Sequence, residues 1–253
     1  MCASKKIYFI SDLHLGNRYM QNPLEAEQKL LKWLDIIKQD AAAVYFLGDI
    51  FDYWFEYKYV IPRGYMRFLG KVTELSDSGI EIHFLIGNHE IRICDFLSEE
   101  VGVIIHHKPF TVGLLGKNFF LAHGDEVGYR PLKYRFIQSI IRNRLCQVLY
   151  AAIHPRWSVG LARSWSLKSR KSAFTGEKIK SAQVRNSTSL EEFSRSYLQM
   201  HPDIHFFIFG HLHILLDREL SPTARLLIPG DWMYLFSYAV WDGEALTLNR
   251  FPE

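Results

Sequence analysis

At 253 residues, with 48% hydrophobic and 23% charged content, the chain is long enough to bury a sizeable core and is neither disordered nor fibrous. Its three cysteines, Cys2, Cys94 and Cys146, are scattered and lack Cys-x-x-Cys spacing, which argues against a disulfide framework or a structural zinc site and fits a reducing compartment. The net charge of +3 conceals a division: residues 128–185 hold 13 Lys and Arg against one acid, Glu177, a balance of +12, whereas the remainder stands at −9, so that stretch is expected to meet an anionic partner.

In chain order, the apolar run Ile7-Tyr8-Phe9-Ile10 leads into Ser11-Asp12, too soon for a signal segment or a membrane span of about 20 residues. The protein is therefore expected to stay in the cytoplasm. Pro23 to Gln39 carries Leu24, Leu30, Leu31, Leu34 and Ile37 at helical spacing, with Pro23 suited to a first turn. Val44-Tyr45-Phe46-Leu47 then runs into Gly48-Asp49, a second helix is predicted over Tyr65 to Asp77, and Ile82 to Ile86 ends at Gly87-Asn88. Phe119 to Ala122 leads to His123-Gly124-Asp125, and Ile204 to Phe209 leads to Gly210-His211. Short β-branched and aromatic runs closed by Gly, Asp or Asn read as buried strands. Their alternation with helices implies parallel pairing covered by helices. At the C-terminus, Arg225 to Pro229, Phe236 to Trp241 and Ala245 to Phe251 suggest strands, the last two joined by a hairpin at Asp242-Gly243.

Ligands of open α/β sheets collect beyond the carboxyl ends of the strands, so groups distant in sequence converge there. The candidates are Asp12, His14, Asp49, Asn88, His123, His211 and His213. This mixture of carboxylate, amide oxygen and imidazole suits Mn²⁺, Fe or Zn²⁺ better than Ca²⁺ or a thiolate-seeking metal. Seven ligands exceed what one such ion takes but are natural for two ions about 3.5–4 Å apart with a bridging carboxylate. A single Asp after a strand is ordinarily a turn or cap residue. Five strand ends all carrying metal-compatible groups are not explained that way. His83, His106, His107 and His205 read as structural.

Asp12-Leu13-His14, Gly48-Asp49 with Asp52, Gly87-Asn88-His89-Glu90, His123-Gly124-Asp125 and Gly210-His211-Leu212-His213 resemble, in order and spacing, the five blocks of calcineurin-like metallophosphoesterases. The resemblance implies a four-layer αββα sandwich of α/β class. It implies that Asp12, His14 and His213 hold one metal, that Asn88, His123 and His211 hold the other, and that Asp49 bridges. His89 would contact a phosphoryl oxygen or protonate the leaving group, and Asp52 and Asp125 would orient histidines or bound water. Within the superfamily, Asp12-Leu13-His14-Leu15-Gly16, Gly48-Asp49-Ile50-Phe51-Asp52-Tyr53-Trp54, Gly230-Asp231-Trp232 and Asn249-Arg250-Phe251-Pro252 are similar to bacterial UDP-2,3-diacylglucosamine hydrolases of lipid A synthesis. Those enzymes release UMP and a diacylglucosamine 1-phosphate, so the resemblance implies an anionic nucleotide-lipid substrate. Many of them carry Arg and Asp where this chain has His89 and Glu90, the general form of the superfamily.

The sequence divides into core residues 1–127, an inserted lid at 128–185 and core residues 186–253. Lys133 to Tyr150 reads as one amphipathic basic helix, with Phe136, Ile137, Ile140, Ile141, Leu145, Val148 and Leu149 at helical spacing. Arg156 to Leu167 reads as a second helix, carrying Trp157 and Trp165 beside Arg163. Such a lid would cap the cleft, take acyl chains and touch anionic headgroups at the cytoplasmic face of the inner membrane. Ser166-Leu167-Lys168-Ser169-Arg170-Lys171 resembles the family's substrate-facing segment, which makes Arg163, Ser166, Lys168, Ser169, Arg170 and Lys171 candidate contacts for a diphosphate. A nucleic-acid partner is not expected, because the apolar stripe is too rich and no recognition motif is appended. A non-catalytic scaffold is disfavoured because every ligand is present.

Overall fold

The computed structural model describes residues 5–17, 20–128, 130–157, 159–160 and 176–252. Its first half alternates as the sequence predicts: β1 (Lys6–Ile10), α1 (Pro23–Ile37), β2 (Ala41–Phe46), β3 (Trp54–Phe55), α2 (Met66–Asp77), β4 (Glu81–Leu85), β5 (Glu90–Arg92), α3 (Phe96–Glu99) and β6 (Ile104–His106). A hairpin of β7 (Phe110–Leu114) and β8 (Lys117–Ala122) leads to α4 (Leu132–Ile141), α5 (Arg144–Ala151) and α6 (Gly176–Met200). The chain closes with β9 (Phe206–Phe209), β10 (Leu215–Ser221), β11 (Ala224–Pro229), β12 (Ser237–Trp241) and β13 (Leu246–Arg250).

Period-two alternation along the strands sorts these elements into layers. On β1, Ile7 and Phe9 point one way, where they meet Tyr45, Phe119, Leu121, Phe206 and Ile208 in the core between two sheets. Tyr8 and Ile10 point the other way, into a cluster with Leu30, Trp33 and Leu34 of α1 and Phe68, Val72 and Leu75 of α2. On the far side, Phe120, Phe207 and Phe209 are covered by Leu190, Phe193 and Tyr197 of α6. Helix, sheet, sheet, helix is the resulting order, the αββα sandwich expected. Each fully buried leucine or phenylalanine contributes about 1.5–3 kcal/mol, so no single contact holds these layers together.

The first sheet runs β13-β12-β1-β2-β4-β6 and the second β10-β11-β9-β8-β7, with a small β3-β5 pair beside them. Parallel pairing of β1, β2, β4 and β6 in the first sheet, and of β8, β9 and β11 in the second, points the carboxyl ends within each sheet the same way. The predicted C-terminal hairpin pairs antiparallel, and the Asp242 carboxylate closes its turn by accepting from the backbone of Glu244 and Ala245 at 2.9 and 2.8 Å.

The single helix expected over Lys133 to Tyr150 is in fact two, α4 and α5. The apolar spacing continues across the break, but Asn143 adopts an extended conformation and its Oδ1 accepts from the Cys146 amide at 3.1 Å. An asparagine that caps a new helix interrupts the old one. Neither helix buries a residue, and Leu132, Phe136, Leu145 and Leu149 are exposed, so the stripe is not core packing. Residues 155–157 and 159–160 are helical, and the rest of the second predicted helix lies outside the described residues. α6 begins before residue 185 and continues to Met200 against the second sheet.

Candidate metal centre

Five of the seven predicted ligands occupy left-handed backbone, with φ of +55° at Asp12, +44° at His14, +51° at Asp49, +69° at His211 and +53° at His213. Among the described non-glycine residues, only Leu115 and Phe236 share that region. Each such residue costs about 1–3 kcal/mol, and strain of this kind clusters where side chains must be aimed rather than merely packed. Close approach of the turns requires glycine: at Gly48 (φ +92°) a Cβ would lie 2.5 Å from His123 Nδ1, and at Gly87 it would run into the Asp49 carboxylate.

The turns are tied to one another. Asp12 Oδ2 accepts from Ser11 Oγ at 2.6 Å and from the His211 amide at 2.8 Å, joining β1 to the end of β9 across the two sheets. Its other oxygen, Oδ1, lies 3.5 Å from His213 Nε2 and 3.8 Å from His14 Nε2. Asp49 Oδ2 lies 3.4 Å from His123 Nε2, 3.7 Å from His14 Nε2 and 4.0 Å from His89 Nε2. Potential ligand atoms therefore fall into three overlapping groups, each within 4.8 Å: Asp12, His14 and His213; His14, Asp49 and His89; Asp49, His123 and His211. His14 is shared by the first two groups and Asp49 by the last two.

The donor set fits divalent cations. Asp12 Oδ1, Asn88 Oδ1 and His123 Nε2 are buried and, among the described residues, have no hydrogen-bond partner. Orphaned polar atoms of this kind are costly and call for a ligand. Charge balance points the same way. Burial opposes ionisation at Asp49, yet His123, His89 and His14 hold its carboxyl well below the usual range. Burial likewise opposes the His123 imidazolium, but Asp49 pushes that ring well above its ordinary value. His213, also penalised by burial, is raised by Asp12. The carboxylates that favour imidazolium here would equally favour cations, and metals compete with protons for the same nitrogens.

Supporting contacts fix which nitrogen faces inward. His123 Nδ1 donates to the Leu47 carbonyl at 2.7 Å, leaving Nε2 for the centre. His89 Nδ1 donates to the Asp52 carbonyl at 2.7 Å, which turns its Nε2 toward Asp49. The Asp52 carboxylate lies 3.8 Å from His14 Nδ1. Asp125 Oδ2 accepts from Tyr134 at 3.2 Å and from Arg142 at 3.1 Å, tying α4 to the turn that carries His123, while its buried Oδ1 has no hydrogen-bond partner among the described residues. Arg163, Ser166, Lys168, Ser169, Arg170 and Lys171 lie outside the described residues. His205 accepts from the Asn118 amide, and His83 pairs with His106 at 3.0 Å between stacked aromatic rings, away from the centre.

Two further residues of the site, quoted from the sequence only as parts of motifs, had no role assigned. Asp231, at the end of β11, sits 3.4 Å from His213 Nδ1, and its other oxygen accepts from the amides of Met233, Tyr234 and Leu235. Glu90 is buried and accepts from the amides of Gly87, Asp49 and Phe51 at 2.9–3.0 Å, clamping the turns after β2 and β4 together. Burial, with the neighbouring Asp49 charge, pushes its carboxyl up to about 7.

A model of the calcineurin-like phosphoesterase family matches residues 5–215. A Porphyromonas gingivalis protein named UDP-2,3-diacylglucosamine hydrolase is 50% identical over 261 residues, covering 98% of each chain. A protein of the same name from Nitrosococcus oceani is 27% identical, covering 89% of this chain and 86% of its own. Among solved structures, Yfce, a phosphoesterase from E. coli, covers 97% of this chain and 93% of its own at 16% identity and a TM-score of 0.46.

Proposed function

The chain belongs to the calcineurin-like phosphoesterases, and within that family we propose that it hydrolyses the diphosphate of UDP-2,3-diacylglucosamine to UMP and 2,3-diacylglucosamine 1-phosphate. The observation that carries this reading is the full-length identity to the P. gingivalis hydrolase. It makes the enzyme a metal-dependent hydrolase acting in lipid A synthesis.

Two divalent cations, Mn²⁺ by preference with Fe or Zn²⁺ also suited to the donors, would when bound activate water and neutralise the charge of an in-line phosphoryl transfer. Asp12, His14 and His213 would hold one, Asn88, His123 and His211 the other, with Asp49 between them. His89, fixed through Nδ1, offers Nε2 as the proton donor to a phosphoryl oxygen or to the leaving group. Asp231 and the Leu47 carbonyl keep His213 and His123 aimed inward. No side-chain nucleophile is required.

Residues 128–185 would act as a lid whose exposed apolar side chains receive the acyl chains, with Arg163, Ser166, Lys168, Ser169, Arg170 and Lys171 as phosphate contacts. In this reading the protein works in the cytoplasm, attached peripherally to the inner membrane. None of the described helices is long and apolar enough to cross it.

The test is incubation of Mn²⁺-supplemented protein with UDP-2,3-diacylglucosamine. Stoichiometric UMP and diacylglucosamine 1-phosphate are expected. Activity on a generic aryl phosphodiester with no UMP release would keep the phosphoesterase and remove the substrate.

A further inference from the structure

A cavity of about 150 Å³ opens beside the candidate metal centre, between the turn at Gly124-Asp125, the start of α4 and the middle of α6. It is lined by His211 and walled by Leu190, Leu212 and Val127, with Asp125, Tyr134 and Asn186 supplying polar groups. Pockets for drug-sized ligands run to roughly 300–1,000 Å³, so this one fits a single small ring and not an acyl chain. The exposed apolar side chains suited to acyl chains lie instead along α4 and α5, at Phe136, Leu145 and Leu149.

We infer that this cavity receives the pyrimidine of the substrate's nucleoside end, with Asn186 as the residue that reads it. The inference rests on the nucleotide-lipid reading of the site. A diphosphate lying across the metals has two unlike ends, and the cavity, between the first turn of α4 and α6, differs from the exposed apolar stripe farther along α4 and α5 in being small, partly polar and lined by His211. A pyrimidine imide edge presents a donor beside an acceptor, and a carboxamide is the side chain that answers both. Asn186 is half-buried on α6, and its carboxamide makes no hydrogen bond to another described residue. Leu190 and Leu212 would cover the ring faces, and Arg130, which also lines the cavity, would add positive charge.

The experiment is calorimetric titration of the Mn²⁺-loaded protein with UMP and, separately, with ribose 5-phosphate, which keeps the phosphate and sugar but lacks the base. UMP is expected to bind about tenfold more tightly, the worth of a pair of hydrogen bonds and a buried ring. In Asn186→Leu that gap should close by the weakening of UMP alone, with ribose 5-phosphate binding retained as the sign of an intact fold and centre. Equal affinity of the two ligands for the unaltered protein, or a gap that survives Asn186→Leu, would overturn the assignment. A gap abolished by Asn186→Leu in a protein that fails to cleave UDP-2,3-diacylglucosamine would keep the pyrimidine site and remove only the lipid substrate.

Discussion

His89 is held at two points. Its backbone amide donates to Asp49 Oδ1 at 3.0 Å and its Nδ1 to the Asp52 carbonyl, so both its position and its tautomer are set before any ligand arrives. With Nε2 left 4.0 Å from Asp49, the ring is placed for proton transfer in the proposed reaction, and such groups contribute about 10²–10⁴-fold to rate. His89→Asn is therefore expected to lower kcat at least about 10²-fold while elemental analysis still finds two metals per chain. Loss of a metal would make His89 a ligand, and undiminished turnover would remove it from the chemistry. At this scale the sequence was informative where a ligand follows an apolar run directly, as at Asp12, Asp49 and His123. It was less so for Asp231, although Leu226-Leu227-Ile228-Pro229-Gly230-Asp231 repeats the pattern that ends at Gly48-Asp49. What hid Asp231 and Glu90 is that their work is done on backbone amides and a histidine brought near by folding, contacts to which no residue spacing corresponds.

Among elements, the buried parallel strands were legible because both faces are covered and the runs are continuously apolar. β7 and β10, which are edge strands with exposed faces, were not. The same weakness explains α4 and α5, where helical spacing alone could not show that Asn143 begins a new helix. These two helices rest on the core through a few contacts: Tyr150 meets Tyr53 at 3.0 Å and packs its ring on Phe55, Gln147 donates to the Ile91 carbonyl at 2.8 Å, and Tyr134 and Arg142 bind Asp125. With so little apolar surface holding it, this segment should open more easily than the sheets. Arg142 is partly exposed, so screening reduces its pair with Asp125 to about 1 kcal/mol. Arg142→Ala should therefore raise the population of undocked α4 about fivefold, read as a similar rise in the rate of limited proteolysis between residues 130 and 156. An unchanged cleavage rate would show that the tyrosine and glutamine contacts suffice.

Across the whole molecule, charge and apolar exposure coincide. The segment at +12 also holds α4 and α5, which bury no residue, and Leu132, Phe136, Leu145, Leu149 and Trp157 stand exposed among Arg130, Lys133, Arg135, Arg144 and Arg156. A basic residue at an anionic membrane surface is worth about 1 kcal/mol, so Lys133, Arg135, Arg144 and Arg156, without Arg130 of the cavity, would supply roughly 4 kcal/mol before any side chain enters the bilayer. The remaining −9 of the chain would be repelled, which orients the molecule with the lid toward the lipid. Sedimentation with vesicles containing phosphatidylglycerol should thus capture the protein at low ionic strength, whereas vesicles of neutral lipid alone should capture much less. Raising salt from about 0.1 M to about 1 M shortens the screening length from about 10 Å to about 3 Å and should release most of the bound protein. What stays bound at high salt measures apolar insertion, and a double Phe136→Ser, Leu145→Ser variant should lose that fraction without altering the salt-sensitive one. Failure to sediment with anionic vesicles at low salt would detach the lid from the membrane and leave acyl-chain binding as the sole use of its apolar face.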